Sequence, residues 1–222
     1  MGRTIALALA GFAATATPAL AQQDLTCRGG LFADDPPFAL AEVRGEGRAY
    51  FQADFNGCPW NAGTCQAPAY LVPGDTVVLS KIRKGFACAH YPGAKGGTTG
   101  WISTRRLSLK FADNRPDEAA WLGGWQGADA NPSIRFYKDT GKLFVTGEAF
   151  WPGRAGTHDY PSIHFGELDG AVSLAGHTGT YGDDNDCQVR FTILGDYLVA
   201  SDNRRCGGVN VTFSGVYRRE RD

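Results

Sequence analysis

The residues with the plainest chemistry in this chain are its six cysteines: Cys27, Cys58, Cys65, Cys88, Cys187 and Cys206. Thiolates bind metals, attack electrophiles or cross-link. No Cys-x-x-Cys pair occurs. The four histidines are scattered, and His158, His164 and His177 offer no i, i+2 or i, i+4 pair, so a zinc site is not indicated. An even number of cysteines in an exported chain reads instead as disulfides. Two carboxylates, Glu148 and Glu167, have the side chains a glycoside hydrolase needs, but one sequence cannot set their separation. Asp183-Asp184-Asn185-Asp186 beside Gly182 clusters oxygen donors suited to calcium. The spacing fits no EF-hand, and a solvated turn is expected. There is no Gly-x-Ser-x-Gly, no phosphate-binding loop and no dinucleotide fingerprint. Catalytic residues, metal ligands and cofactors are therefore all assigned as none.

The first residues indicate the compartment. Arg3 precedes an Ala/Leu-rich run, Ile5 to Ala14. Thr15 to Pro18 interrupts it, and Ala19-Leu20-Ala21 follows as a small-x-small site. This is the layout of a secretory signal peptide cleaved near Ala21, and the run is short for a membrane span. The expected location is periplasmic or secreted. Removing residues 1–21 leaves 201 of the 222 residues, with 21 basic against 23 acidic side chains, a net of −2. That balance argues against a nucleic-acid partner and against a polybasic membrane anchor. Thirty glycines, eleven prolines, five tryptophans and one methionine describe short strands joined by tight turns.

The hydrophilic stretch 112–119 (ADNRPDEA) divides the mature chain into blocks 22–111 and 120–222. In the first, Tyr70-Leu71-Val72 runs into the turn Pro73-Gly74-Asp75, and Thr76 to Leu79 is a β-branched strand. Lys84-Gly85 turns the chain into Phe86 to Tyr91. Ala87, Ala89 and Tyr91 share one face of that strand, and Phe86, Cys88 and His90 the other. Trp101-Ile102 opens another strand, and Arg105-Arg106-Leu107 suggests one helical turn. Ala49-Tyr50-Phe51, Ala69 through Val77, Phe86 through Tyr91 and Gly100-Trp101-Ile102 followed by Leu107 carry a resemblance to bacterial Src-homology-3-like (SH3-like) domains. The resemblance covers about residues 48–109. It implies a small five-stranded barrel that binds cell-wall peptide or another protein. The segment 54–66 (DFNGCPWNAGTCQ) stands where relatives carry an acidic, tyrosine-paired loop, so proline-rich ligands are not implied. Tyr50, Trp60, Tyr91 and Trp101 are the candidate aromatic binding face, with Trp60 expected to be exposed.

In the second block Asp139-Thr140-Gly141-Lys142 is a turn signal. In Leu143 to Trp151 the uncharged face Leu143, Val145, Gly147, Ala149 and Trp151 is the expected core side. Strands are expected over 162–165 and 171–174. Gly195-Asp196 is a two-residue hairpin signal of type II′. It places Ile193 opposite Leu198 and Phe191 opposite Ala200. The same ladder brings Cys187 close to Cys206, the most direct bridge. Six cysteines allow fifteen pairings, and Cys58–Cys65 and Cys27–Cys88 are taken for the other two bridges. Val209, Val211, Phe213, Gly215 and Tyr217 alternate as a last strand. Gly123-Gly124-Trp125 at the start of this meander and an arginine at its end, Arg218, resemble a lipocalin-type (calycin) barrel. There an arginine of the last strand covers the first-strand tryptophan.

These readings give an all-β protein, a small SH3-like barrel followed by an antiparallel β-barrel or sandwich. The expected function is non-catalytic binding at the cell envelope, to peptidoglycan or to a protein partner such as a lysozyme-like enzyme. Alternatives are a carrier of a small apolar ligand inside the second barrel, and an envelope hydrolase using Glu148, Glu167 or the Asp183 cluster.

Overall fold

The structure, a computed structural model, describes residues 26–28, 32–34, 36–61, 64–93, 96–127, 131–155, 161–183 and 185–221. The leader and its cleavage site, His158 and Asp184 lie outside the described residues. The protein is all-β, with an antiparallel seven-stranded sheet followed by a closed eight-stranded barrel.

The first sheet comprises β1 (Ala39–Val43), β2 (Ala49–Gln52), β3 (Gln66–Leu71), β4 (Thr76–Arg83), β5 (Phe86–Gly93), β6 (Gly96–Ser103) and β7 (Leu107–Lys110), in the order β3-β2-β6-β5-β4-β1-β7. The chain leaves β1, makes the β2–β3 hairpin, runs the β4–β5–β6 meander and returns through a 3-10 turn, Thr104–Arg106, to pair β7 with β1. Local chemistry explains the corners. Lys84 (φ 44°) and Gly85 (φ 83°) both take the left-handed conformation that a type I′ hairpin requires. At Pro73-Gly74-Asp75 the Asp75 carboxylate accepts from Val72 N at 2.8 Å, and Gly74 supplies φ 94°. Ala41, Val43, Phe51, Leu71, Val77, Leu79, Ala87, Ala89 and Ile102 fill the interior. The expected alternation along β5 therefore holds, with Ala87 and Ala89 inward and Cys88 on the opposite face.

The barrel is a simple up-and-down meander: β8 (Gly123–Gln126), β9 (Ser133–Asp139), β10 (Lys142–Ala155), β11 (Pro161–Ala175), β12 (Thr178–Gly182), β13 (Gln188–Leu194), β14 (Tyr197–Asp202) and β15 (Gly215–Arg219). Pairing of β15 with β8, Arg219 opposite Trp125, closes it. Closure removes both edges, so the ladder ends nowhere in solvent along this ring. The Gly195-Asp196 hairpin has the expected register, Ile193 opposite Leu198 and Phe191 opposite Ala200, with Gly195 at φ 62°.

Four expectations need correction. The small five-stranded barrel implied for the first unit is a seven-stranded sheet, because β1 and β7 extend the β4 side and β2 and β3 the β6 side. The two strands expected over 162–165 and 171–174 are one, β11. Gly166 serves close approach rather than a turn, since a Cβ there would lie 2.2 Å from the Cys206 carbonyl oxygen. Trp151 continues the parity of the core face but is 47 % exposed, because β10 there has run past its partner β9 and overhangs the barrel. The last strand begins at Gly215, not Val209. The Asp202 carboxylate captures Phe213 N (2.5 Å), Thr212 Oγ1 (2.9 Å) and Ser214 Oγ (3.1 Å), so residues 212–214 bond to one buried side chain instead of a ladder. Their alternating burial survives, with Val211, Phe213 and Tyr217 inside.

A third apolar layer joins the two units. Leu40, Val78, Cys88 and Trp101 on the outer face of the first sheet meet Leu194, Val199 and Val216 on the outer face of the barrel, with Phe32 and Ala33 of the N-terminal segment packed beside them. The disulfide Cys27–Cys88 pins that segment to the middle of β5. Cys58–Cys65 and Cys187–Cys206 complete the set, so all three expected bridges are present and no cysteine is free among the described residues. Such bridges persist in oxidising extracellular or periplasmic surroundings. No helix among the described residues is long and apolar enough to cross a membrane.

Candidate binding surfaces

The four aromatic residues expected to form one binding face are not brought together. Trp101 is fully buried on the central strand β6, opposite Cys88. Trp60 is half-buried rather than exposed, and its ring packs edge-on to Trp101 at 5.2 Å. The Cys58–Cys65 loop, expected to hold Trp60 outward, turns it onto the sheet and packs it against the apolar layer there. Tyr91 is half-buried against the Ala87 and Ala89 side, the opposite face of β5 from Cys88. Tyr50 is half-buried as well, on the β2–β3 hairpin.

Its partner there is Tyr70, a residue the sequence reading used only as a strand marker. Tyr50 and Tyr70 are cross-strand neighbours with ring centroids 5.7 Å apart, and Tyr70 is 43 % exposed. The Arg48 guanidinium lies 4.2 Å from the Tyr70 ring centroid, within cation–π range. A hydrogen bond to Tyr50, then the fields of Tyr70 and Tyr50, raise the Arg48 pKa above its ordinary value. The loop bearing Arg48 is organised from across the sheet. Arg106, in the 3-10 turn, donates to the carbonyls of Arg44 (3.0 Å), Glu46 (3.1 Å), Gly47 (3.0 Å) and Arg48 (3.1 Å). The platform sits on β2 and the edge strand β3, where Pro68 removes a donor that would otherwise invite strand addition.

The carboxylates suspected of hydrolytic chemistry are placed by the β10–β11 ladder. Glu148 and Glu167 are direct cross-strand partners, both exposed on the outer face of the barrel. They share one surface, without the unlike surroundings that an acid and a nucleophile require. The Asp183 group is a turn: Asp183 Oδ1 accepts from Asn185 N at 2.8 Å, and Asn203 Nδ2 donates to the Asp186 carbonyl at 2.6 Å. His164 lies on β11 and His177 in the turn after it, and no group of three metal-ligating side chains occurs among the described residues. Nothing in these arrangements points to catalysis. His90 is half-buried, exchanges a hydrogen bond with Thr99 Oγ1 at 2.7 Å, and its ring lies 5.6 Å from the Phe32 ring. Burial lowers its pKa to about 4.

The barrel interior is occupied by its own side chains. Trp121, Trp125, Phe136, Phe191, Phe213 and Tyr217 are each at most 1 % exposed. Phe136 meets Trp121 and Phe191 edge-on at 5.6 and 5.1 Å. Trp125 Nε1 donates to the Trp121 carbonyl, and the Tyr217 hydroxyl donates to the Phe213 carbonyl. Burial and the nearby Asp202 raise the Tyr217 pKa. Arg219, not the expected Arg218, covers Trp125. Its guanidinium carbon is 4.2 Å from the ring centroid, and it donates to the carbonyls of Leu122 (2.8 Å) and Ala120. Arg218 points the other way and is exposed, as strand alternation demands.

No protein-family model, no curated protein and no solved structure matches this chain.

Proposed function

We propose that this is an exported, non-catalytic binding protein of the cell envelope, in which an SH3-like first unit engages cell-wall peptidoglycan and a lipocalin-like barrel serves as its scaffold. The order of pieces in the first sheet supports the first resemblance: a strand, a long hairpin excursion, a three-stranded meander, a 3-10 turn and a last strand returning to the first. The Arg219 cover on Trp125 supports the second. The three disulfides suit the compartment.

The observation that carries the binding reading is the Arg48–Tyr50–Tyr70 platform. Aromatic faces take the apolar faces of sugars and peptide side chains, and a guanidinium takes a carboxylate. Peptidoglycan presents sugar faces and peptide carboxylates side by side. The charge of the first block agrees, with ten Lys/Arg against seven Asp/Glu over residues 22–111. An apolar-ligand carrier finds no support, since aromatic side chains occupy the barrel interior.

Co-sedimentation with purified peptidoglycan sacculi tests the reading. The mature chain is expected to pellet, and the Tyr50→Ala/Tyr70→Ala variant to stay in the supernatant at an unchanged melting temperature. A wild-type chain that never pellets, or a variant that pellets equally, overturns it.

A further inference from the structure

One end of the outer face of the β10–β11 hairpin is apolar and exposed. β9 accompanies β10 only as far as Glu148, and β12 accompanies β11 only from Val172. Beyond Glu148, β10 has β11 as its ladder partner among the described residues, while β11 at Phe165 and Gly166 is backed by the segment after β14, Gly208 N donating to Phe165 O at 3.0 Å. The Asn131 side chain finishes the β9 side of the ladder, accepting from Phe150 N at 3.1 Å and donating to Phe150 O at 2.9 Å. Phe150 and Phe165 are cross-strand partners, 48 % and 64 % exposed, and Ile163, on the same face, is 51 % exposed. Three large apolar side chains together in water are the mark of an interaction site rather than of scattered surface residues.

Carboxylates continue that face without a break. Next to Phe150 and Phe165 come Glu148 opposite Glu167, then Asp169 opposite Thr146. Like charges directly opposite in a ladder are destabilising, yet Glu148, Glu167 and Asp169 have no ion-pair partner among the described residues. They line a concavity of about 450 Å³ with Glu220, whose carboxylate is taken by Arg135 at 3.0 Å. Arg135, the one cation of that concavity among the described residues, is thereby paired. Gly124 makes the arrangement possible, since a Cβ there would lie 1.7 Å from Glu220 Oε2.

We infer that this face docks a basic polypeptide. Apolar side chains of the partner cover Phe150, Ile163 and Phe165, while its Lys or Arg side chains pair with Glu148, Glu167 and Asp169. Charge complementarity selects this occupant. An anionic glycan or nucleic acid meets three uncompensated carboxylates, and the second block as a whole carries ten Lys/Arg against thirteen Asp/Glu over residues 120–222. A cation placed between Glu148 and Glu167 also relieves their mutual repulsion. The site is separate from the Arg48 platform and does not rest on the peptidoglycan reading.

The test is titration of the mature chain with a labelled synthetic peptide of alternating Lys and Leu, followed by fluorescence anisotropy, with an alternating Glu and Leu peptide as control. The Lys peptide is expected to bind and the Glu peptide not. Glu148→Gln/Glu167→Gln is expected to weaken binding about tenfold at low salt and to flatten its salt dependence. Phe165→Ser is expected to weaken it at every salt concentration. Asp139→Asn/Asp183→Asn, which changes net charge equally elsewhere, and Tyr50→Ala/Tyr70→Ala are expected to leave it unchanged. Equal weakening by Glu148→Gln/Glu167→Gln and by the charge-matched variant overturns the proposal, as does binding that none of these variants alters. Concentration-dependent self-association abolished by Phe165→Ser also overturns it, since the face is then covered by a second copy.

Discussion

The two halves of the molecule reach stability by different routes. The first sheet has free edges at β3 and β7, and its interior mixes four alanines, Ala41, Ala49, Ala87 and Ala89, with Val, Leu and Ile and one fully buried aromatic ring, Phe51; Tyr91 is half-buried against this core. Two of the three disulfides belong to it. The barrel has no edge along its ring, six buried aromatic rings and one disulfide, whose Cys206 is buried in its core. A small core that buries little apolar area needs covalent staples. A closed barrel with a large-residue interior does not. The halves also differ in charge, basic in the first and acidic in the second, and each exposes its own aromatic pair, Tyr50–Tyr70 and Phe150–Phe165.

This contrast sets the ranking of expected effects. Trp125→Ala, which empties the barrel core and strips Arg219 of its stacking partner, is expected to cost about 5 kcal/mol in denaturant unfolding. A cost near zero would show that packing is not what sustains the barrel. Replacing Cys27 and Cys88 by serine opens a loop of 61 residues and is expected to cost about 4 kcal/mol on the chain-entropy model. The Cys187/Cys206 pair, with a separation of 19, is expected to cost less, and a reversed order would undo the stapling argument. Asp202→Ala orphans several buried donors at the end of β14 and is expected to cost about 3 kcal/mol.

The last effect is one of pH, and it belongs to the first half. His90 titrates at about 4 when folded, against about 6.5 in an unfolded chain. The unfolded state therefore binds the extra proton between these values, so stability is full above about pH 6.5 and declines as the pH falls toward 4. His90→Gln is expected to flatten that part of the melting-temperature profile. An unchanged profile would show that the imidazole meets water more freely than its burial implies.

Much of the fold was legible because it rests on local rules. Lys84-Gly85, Thr140-Gly141 and Gly195-Asp196 turn as their types require, and each sets the register of a hairpin. The candidate site was far less legible. Trp60 and Trp101 looked like surface aromatics because nothing in their neighbourhood shows that the barrel and the N-terminal segment cover that face. Tyr70 was passed over because its partnership with Tyr50 and Arg48 depends on a hairpin whose strands lie far apart in sequence. Glu148 and Glu167 were suspected for their chemistry, and only the ladder made them neighbours.

The amino-acid order alone determined the all-β class, the tight turns and the alternation of β5 and β10, because these follow from neighbours one to a few residues away or from composition; which of Cys27, Cys58, Cys65 and Cys88 pair was settled only by the tertiary structure. The tertiary structure decided which faces meet water, that Arg219 rather than Arg218 covers Trp125, that Asp202 replaces a strand ladder, and that the two sheets share an apolar layer. Those outcomes depend on contacts between distant segments, and a pattern of period two cannot say which of two apolar faces a second sheet will cover.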